Sequence, residues 1–450
     1  MTRLVVIGGG AAGMSAASAA RRVDGDLDIV VLEATGFAAW GLCGIPYLVS
    51  GVVSSADHLI TRTPEEFRSD RRIDLRLHTT AERIDPARRK VRISNGGEAS
   101  SIGYDRLVVT TGASAARPPL PGLDHERVFT IRSLEAASEL TRLVAAGSVR
   151  RAVVVGAGYI GLEMADALVE RGCDVTVVEM FDRVMPTLDP EIAAEVESTC
   201  RRHADLRLAS RLVDVDHVDG GLRCRVDDGT HLDADVVVLA TGVRPSGGIA
   251  AEAGAEVTAQ RAVVVDDHMR TSLTDVWAAG DCVVVPHLVL GGAGYVPLGP
   301  TANKTGRVAG TVAAGGEARF RGVVGTAVAK IFDLTVARTG LTLSQALEAG
   351  IGAAATDVTA GSRAKYYPGS SPTTVRLVHR ADGGLLGAQM VSTDPATAKR
   401  IDVVATALHA GMDVRDLADL DLSYAPPYAP VYEPILRAAQ AAAKSLAVSA

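Results

Sequence analysis

Paired cysteines are missing from this 450-residue chain: it has five, at positions 43, 173, 200, 224 and 282, an odd number at unrelated spacings. That pattern argues against a disulfide framework and against a zinc site, so no metal is expected. No apolar run reaches the length of a membrane-spanning helix. A surplus of positive charge is lacking too. With 46 Lys and Arg against 53 Asp and Glu the formal net charge is -7, so nothing draws the chain as a whole to nucleic acid or anionic lipid. The first residues, Met1 to Gly8, run straight into a strand and a glycine turn, leaving no space for a signal peptide. A cytoplasmic protein with small-molecule partners is expected, without nucleic acid or membrane.

What is present is length, apolar content and glycine punctuation. The chain is long enough for about three domains, and 47% hydrophobic residues can fill their cores. Arg3 to Ile7 reads as a buried parallel strand, followed by Gly8-Gly9-Gly10-Ala11-Ala12-Gly13 and a helix of small residues through about Arg22. This is G-x-G-x-x-G in its required setting. Gly8 and Gly10 let the chain turn and approach a pyrophosphate, Gly13 lets the helix pack closely, and the helix N-terminus attracts negative charge. The next strand, Asp28 to Leu32, ends at Glu33, where a carboxylate can accept hydrogen bonds from a ribose.

The unit then recurs. Ala152 to Val155 leads to Gly156-Ala157-Gly158-Tyr159-Ile160-Gly161, a helix through Arg171, and a strand Val175 to Val178 ending at Glu179. Two dinucleotides are implied, most economically a bound flavin dinucleotide and a diffusible nicotinamide dinucleotide that pass hydride between them. Glu179 favours a free 2'-hydroxyl and hence NADH, whereas Arg183 beside it could accept the 2'-phosphate of NADPH.

Strand-and-turn segments at Leu107 to Ala113 and Val236 to Pro245 flank the second unit, and the proline-rich Arg117 to Gly122 looks like a domain crossing. The second unit is therefore inserted in the first. Val276 to Asp281 is a further strand ending in an acid, and Pro297 to Asn303 opens a helix whose positive end could stabilise charge on a reduced flavin. From about Thr326 the pattern becomes mixed strand and helix, with a helix from Ser344, aromatic turns at Tyr366 to Gly369 and Tyr424 to Tyr428, and a helix after Glu433 that frays at the C-terminus. Cys43, in Trp40-Gly41-Leu42-Cys43-Gly44-Ile45-Pro46-Tyr47, follows shortly after the first dinucleotide loop. It is read as a redox thiol beside the flavin, its pKa lowered by a helix beginning near Gly44.

Taken together, Ile7 to Gly13 with Glu33, Thr110 to Ala113, Gly156 to Glu163, Ala240 to Pro245, Ala279 to Asp281 and Phe332 to Gly340 resemble the flavin-dependent pyridine nucleotide-disulfide oxidoreductases. Within them the chain resembles the single-cysteine branch of coenzyme A-disulfide reductases, NADH oxidases and NADH peroxidases. The resemblance implies an α/β protein with two Rossmann-like, glutathione-reductase-like domains plus a C-terminal α+β dimerisation domain. The implied boundaries are 1-115 with 246-325 for FAD, 116-245 for NAD(P)H, and 326-450 for dimerisation. Gly8, Gly10, Ala12, Gly13, Glu33, Thr111, Gly112, Asp281, Pro297 and Ala302 would meet FAD, with Asp281 on the ribityl chain. Gly156, Gly158, Tyr159, Ile160, Gly161, Glu163, Glu179 and Gly242 would serve NADH or NADPH, with Tyr159 covering the nicotinamide pocket.

Absences narrow the branch. The second cysteine of the dithiol members is Ala38 here, Ser423 to Pro434 holds no histidine, and Ala11-Ala12 stands where peroxidases and oxidases carry a histidine in the first loop. These changes resemble coenzyme A-disulfide reductases, in which Cys43 would carry a thiol such as coenzyme A as a mixed disulfide. There Tyr424, with Tyr367 as second tyrosine, would come from the partner subunit of a homodimer to assist the leaving thiol. Arg21, Arg22, Arg68, Arg71 and Arg72 fall where the branch binds the coenzyme A nucleotide. Ala39 and Leu42 replace a serine and an asparagine of the branch, which loosens the expectation for the disulfide or persulfide more than that for the reaction class. The rhodanese domain frequent in persulfide reductases is not expected in a chain ending at Ala450. Two other functions stay open at this point: an NADH oxidase, peroxidase or quinone-type reductase, and a non-enzymatic flavoprotein redox sensor.

Overall fold

A computed structural model describes residues 2-449, so Met1 and Ala450 lie outside the described residues. β1 (Arg3-Ile7), α1 (Ala11-Val23), β2 (Asp28-Leu32) and α2 (Ile45-Ser50) open the chain, and β3 (Ile73-Arg76) and β4 (Arg106-Val109) continue its first sheet. That sheet closes much later with Val276-Ala278, in the parallel order Val276-Ala278, β4, β1, β2, β3. Apolar, mostly β-branched runs such as Leu4-Val5-Val6-Ile7 are buried on both faces, as a covered parallel sheet requires. β1 lies centrally, with Ile7 in register with both Leu32 and Val109.

The second unit repeats this arrangement. β5 (Val128-Thr130), β6 (Arg151-Val155), α3 (Tyr159-Glu170), β7 (Asp174-Val178), α4 (Pro190-His203), β8 (Asp205-Arg207) and β9 (Val236-Leu239) form a sheet of order β8-β7-β6-β9-β5. Here Val155 is in register with both Val178 and Leu239. Each unit also carries a three-stranded antiparallel meander, at 79-103 and 212-234. Two short paired strands, Ala113-Ala115 and Val243-Pro245, make the double crossing between units. The chain then forms β10 (Val276-Ala278) and α5 (Gly299-Ala313). α5 packs on α1 at backbone distance: a Cβ on Gly306 or Gly310 would fall 2.2 Å from the Ala12 carbonyl oxygen or 2.0 Å from that of Ala16. The small-residue faces of both helices thus set how near the α5 N-terminus comes to the first glycine loop.

The third region is a five-stranded antiparallel sheet, order Ala327-Ile331, Leu334-Gly340, Leu385-Ser392, Pro372-Arg380, Ala353-Gly361. Helices α6 (Thr397-Ala410) and α7 (Pro434-Ser449) cover one face. α7 is the helix expected after Glu433, and Ile435, Ala438, Ala439 and Ala442 fix it in the third core, where they are fully buried. The helix predicted from Ser344 runs over Leu343-Glu348, started by a Thr342/Gln345 capping box. Buried Asp189, at the start of α4, ties the second unit to this sheet. It accepts from the backbone N-H of Leu343 at 3.0 Å, that of Ser344 at 3.1 Å and Gln389 Nε2 at 2.6 Å, and pairs with the buried Arg376 at 3.2 Å.

Candidate active site

Both glycine loops are built alike. In the first, a Cβ on Gly8 would lie 2.3 Å from the Thr110 carbonyl oxygen and one on Gly13 would lie 1.8 Å from the Gly8 carbonyl oxygen. A Cβ on Gly10 meets nothing within 4 Å. In the second loop Gly156 and Gly161 are equally crowded, at 2.5 Å from the Ala240 carbonyl oxygen and 1.9 Å from that of Gly156, and Gly158 is open. The outer glycines are therefore required by packing, and the middle one leaves a clear approach for a ligand. Gly112 and Gly242, on the facing turns, are also open and have positive φ.

The strand-end acids brace these loops. Glu33 Oε2 accepts from the Gly9 N-H at 2.7 Å and Oε1 from the Thr35 N-H at 2.8 Å; Glu179 Oε2 accepts from the Ala157 N-H at 2.6 Å and Oε1 from the Phe181 N-H at 3.0 Å. Each carboxylate keeps lone pairs for a ribose while fixing the loop that faces a pyrophosphate. Arg183 pairs with Asp182 at 3.1 Å. Ile160 follows Tyr159 into α3, and the Tyr159 hydroxyl is buried without a well-formed hydrogen bond. At the far side of the first unit, a Cβ on Gly280 would come within 2.7 Å of the Ala12 Cβ and 3.8 Å of the Ala302 Cβ. Glycine there brings Asp281, the α1 N-terminus and the α5 N-terminus, just after Pro297, to one place. An open, twice-repeated glycine cradle with these groups around it fits one dinucleotide in each unit.

Cys43 is fixed to the first loop. Ala39 takes a left-handed conformation, φ 52°, and its N-H donates to the Gly9 carbonyl at 2.9 Å. The Ala39 carbonyl accepts from the Thr61 N-H at 2.9 Å, and Gly41 N-H donates to Leu59 O at 2.8 Å. A turn at Leu42-Gly44 then leads into α2, anchored by the fully buried Ile45. Cys43 is the exposed cysteine; the other four are buried. Its sulfur is nevertheless crowded by protein atoms, and this desolvation, with the charges of Glu163 and Asp281, pushes the thiol up against an opposing Arg132. The shift is thus upward, set by burial and two carboxylates, where the sequence led to the expectation of a lowering by the following helix, α2, which has only six residues.

Glu163 comes to this place from α3, which packs on α2. Burial, helped by Asp166, raises its carboxyl to about 7, and among the described residues it has no hydrogen-bond or ion-pair partner. Arg132, not anticipated from the sequence, pairs with Asp281 at 3.4 Å, both side chains being mostly buried.

The tyrosine turns meet in the third region, where the Tyr424 hydroxyl lies 3.3 Å from that of Tyr366. Within one subunit it is thus Tyr366, and not Tyr367, whose hydroxyl stands beside that of Tyr424. In this tight turn Tyr367 N-H bonds back to Ala364 O at 2.8 Å. Buried Arg400 holds both turns, donating to Ser362 O at 2.7 Å and Tyr428 O at 3.0 Å while pairing with Glu433 at 2.6 Å.

The basic residues divide. Arg21 is committed to structure: its guanidinium donates to the carbonyls of Arg71, Gly25, Leu27 and Arg72 at 2.6-2.9 Å. These bonds make Arg21, expected from the sequence as a nucleotide contact, a tie between the end of α1 and the segment before β3. Arg68 pairs with Glu65 at 3.1 Å and Arg72 reaches Gly25 O at 2.6 Å, whereas Arg22 and Arg71 have no ion pair among the described residues. Arg21→Ala is expected to lower unfolding stability by about 1-2 kcal/mol, read by urea denaturation, with KM for the disulfide unchanged. A raised KM at wild-type stability would reinstate Arg21 as a ligand contact.

Comparison with known proteins agrees with this architecture. Residues 2-306 match the pyridine nucleotide-disulphide oxidoreductase family and residues 326-434 match its dimerisation domain, and the chain belongs to this family. An NADH oxidase of Methanocaldococcus jannaschii is 36% identical over 99% of both chains. A CoA-dependent NAD(P)H sulfur oxidoreductase of Pyrococcus furiosus is 37% identical over 94% of this chain and 95% of the relative. The solved structure of an NAD-dependent persulfide reductase from A. fulgidus superposes with TM-score 0.95 at 40% identity, over 99% of this chain and 83% of that one. The chain is thus an FAD- and NAD(P)H-using oxidoreductase, which sets aside the non-enzymatic sensor. Among the described residues no helix is long and apolar enough to cross a membrane.

Proposed function

We propose that the chain is a homodimeric, cytoplasmic NAD(P)H:disulfide oxidoreductase that reduces coenzyme A disulfide, or a related low-molecular-weight disulfide or persulfide, through Cys43. The observation that carries this reading is the attachment of the exposed Cys43 segment to the first glycine loop, with no second cysteine beside it. We assign residues 1-115 and 246-325 to FAD, 116-245 to NAD(P)H and 326-450 to dimerisation. Bound FAD would supply hydride acceptance from NAD(P)H and two-electron reduction of sulfur. The Cys43 thiolate attacks one sulfur of the substrate disulfide, forming a mixed disulfide and expelling the other half as a thiolate that takes up a proton. Two electrons then cleave the mixed disulfide, release the second thiol and restore Cys43, so one NAD(P)H and one proton yield two thiols. Tyr424, paired with Tyr366 and exposed in the single subunit, donates a proton to the departing thiolate across the dimer. Exposed Arg22 and half-buried Arg71 are the remaining candidates for the nucleotide phosphates of coenzyme A.

Support for a coenzyme A thiol comes from the Pyrococcus relative, which is named as CoA-dependent, and support for a persulfide from the A. fulgidus structure. The M. jannaschii relative favours oxidase activity as a second reading, with oxygen as acceptor. Intact mass of freshly purified protein before and after dithiothreitol is the test. Loss of one coenzyme A on reduction is expected; an unmodified Cys43, together with NADH turnover on oxygen alone, would replace the first reading by the second.

A further inference from the structure

Tyr295 lies between a short hairpin strand, Gly292-Gly294, and Leu298, which caps α5. Its ring is half-buried, but its hydroxyl oxygen is fully enclosed and has no hydrogen-bond partner among the described residues. Native proteins rarely leave a buried hydroxyl unpaired, so such a group marks an acceptor supplied from outside the chain. The charged side chains acting on this phenol include Asp281 and Arg132, the ion pair at the meeting point of β10, the first glycine loop and the α5 N-terminus. Burial keeps the phenol protonated, hence a donor.

We propose that the Tyr295 hydroxyl donates a hydrogen bond to an oxygen of bound FAD, completing with Asp281 and Arg132 a polar group on the α5 side of the flavin site. FAD offers ribityl, pyrophosphate and ring-carbonyl oxygens as acceptors, and Asp281 with Arg132 cannot itself satisfy the phenol at its present position. The proposal rests on FAD occupying the first unit. Tyr295→Phe removes one oxygen that bonds nothing in the protein, so the cofactor-free variant retains wild-type unfolding stability.

The test is FAD titration of cofactor-free protein, read by quenching of flavin fluorescence, alongside the visible spectrum of the reconstituted protein and NADH affinity. The expected result is FAD binding about tenfold weaker in Tyr295→Phe, with NADH affinity unchanged. Equal FAD affinity in variant and wild type overturns the proposal. So does a loss of stability in the cofactor-free variant, which would show the hydroxyl bonded within the protein. A wild-type chain that takes up no FAD overturns the flavin assignment itself, a distinct outcome.

Discussion

Cys43→Ser is expected to lower turnover with coenzyme A disulfide by at least about 1,000-fold while NADH oxidation by ferricyanide stays within about threefold of wild type. A serine hydroxyl is not ionised near neutral pH and cannot attack sulfur. The other four cysteines are buried and cannot take over; two of them, Cys200 and Cys224, are held up to about 12 by burial. Steady-state rates with the two acceptors provide the check. Parallel loss of both activities would mean that Cys43 supports the fold or the flavin, and retained disulfide turnover would remove it from the reaction.

The second large effect concerns Glu163. Its carboxyl, raised to about 7 by burial and Asp166, is neutral in mildly acidic solution and charged above neutrality, when it opposes ionisation of Cys43. Glu163→Gln should therefore speed alkylation of Cys43 by iodoacetamide about three- to tenfold at pH 8 in cofactor-free protein, and should abolish the inflection near pH 7 in the wild-type profile. Stability follows the same sign. A folded-state value above the ordinary 4.5 means that the folded chain holds this proton more tightly than the unfolded chain. That stabilisation is complete below pH 4.5 and is lost as pH rises through 7, by at most about 3 kcal/mol. The variant should match wild type in urea unfolding at pH 4 and exceed it at pH 8. Identical pH dependence of the two proteins would show that Glu163 is neither strained nor coupled to the thiol.

The α/β architecture was legible because each nucleotide unit announces itself locally: a β-branched run, three glycines, a helix and a strand ending in Glu33 or Glu179. The glycine spacing also carried its own reason, since the crowding at Gly8, Gly13, Gly156 and Gly161 is a backbone matter. What sequence reasoning missed depends on contacts made across long stretches of chain. Arg132 meets Asp281 149 residues away and has no motif around it. The thiol's upward shift comes partly from Glu163, on a helix of the other unit, so a local argument from the helix after Gly44 had the sign wrong. Tyr366 and Tyr367 are neighbours in one turn, and nothing short of the turn geometry tells which faces Tyr424. Arg21 shows the converse: an exposed-looking basic pair at a helix end suggested a ligand, but backbone carbonyls had claimed one member.

The Ala39 tether has a consequence for descent. Thiol and first glycine loop belong to one piece of chain, locked by the Ala39 N-H on the Gly9 carbonyl, whereas the carboxyl that biases the thiol belongs to the inserted unit. On the proposed assignment of NAD(P)H to the insert, substitutions there that retune coenzyme preference would leave the spacing of Cys43 and the first loop undisturbed, but each one near Glu163 would also reset how reactive the sulfur is. Under that assignment coenzyme choice and acceptor chemistry would be separately heritable in geometry and jointly heritable in charge.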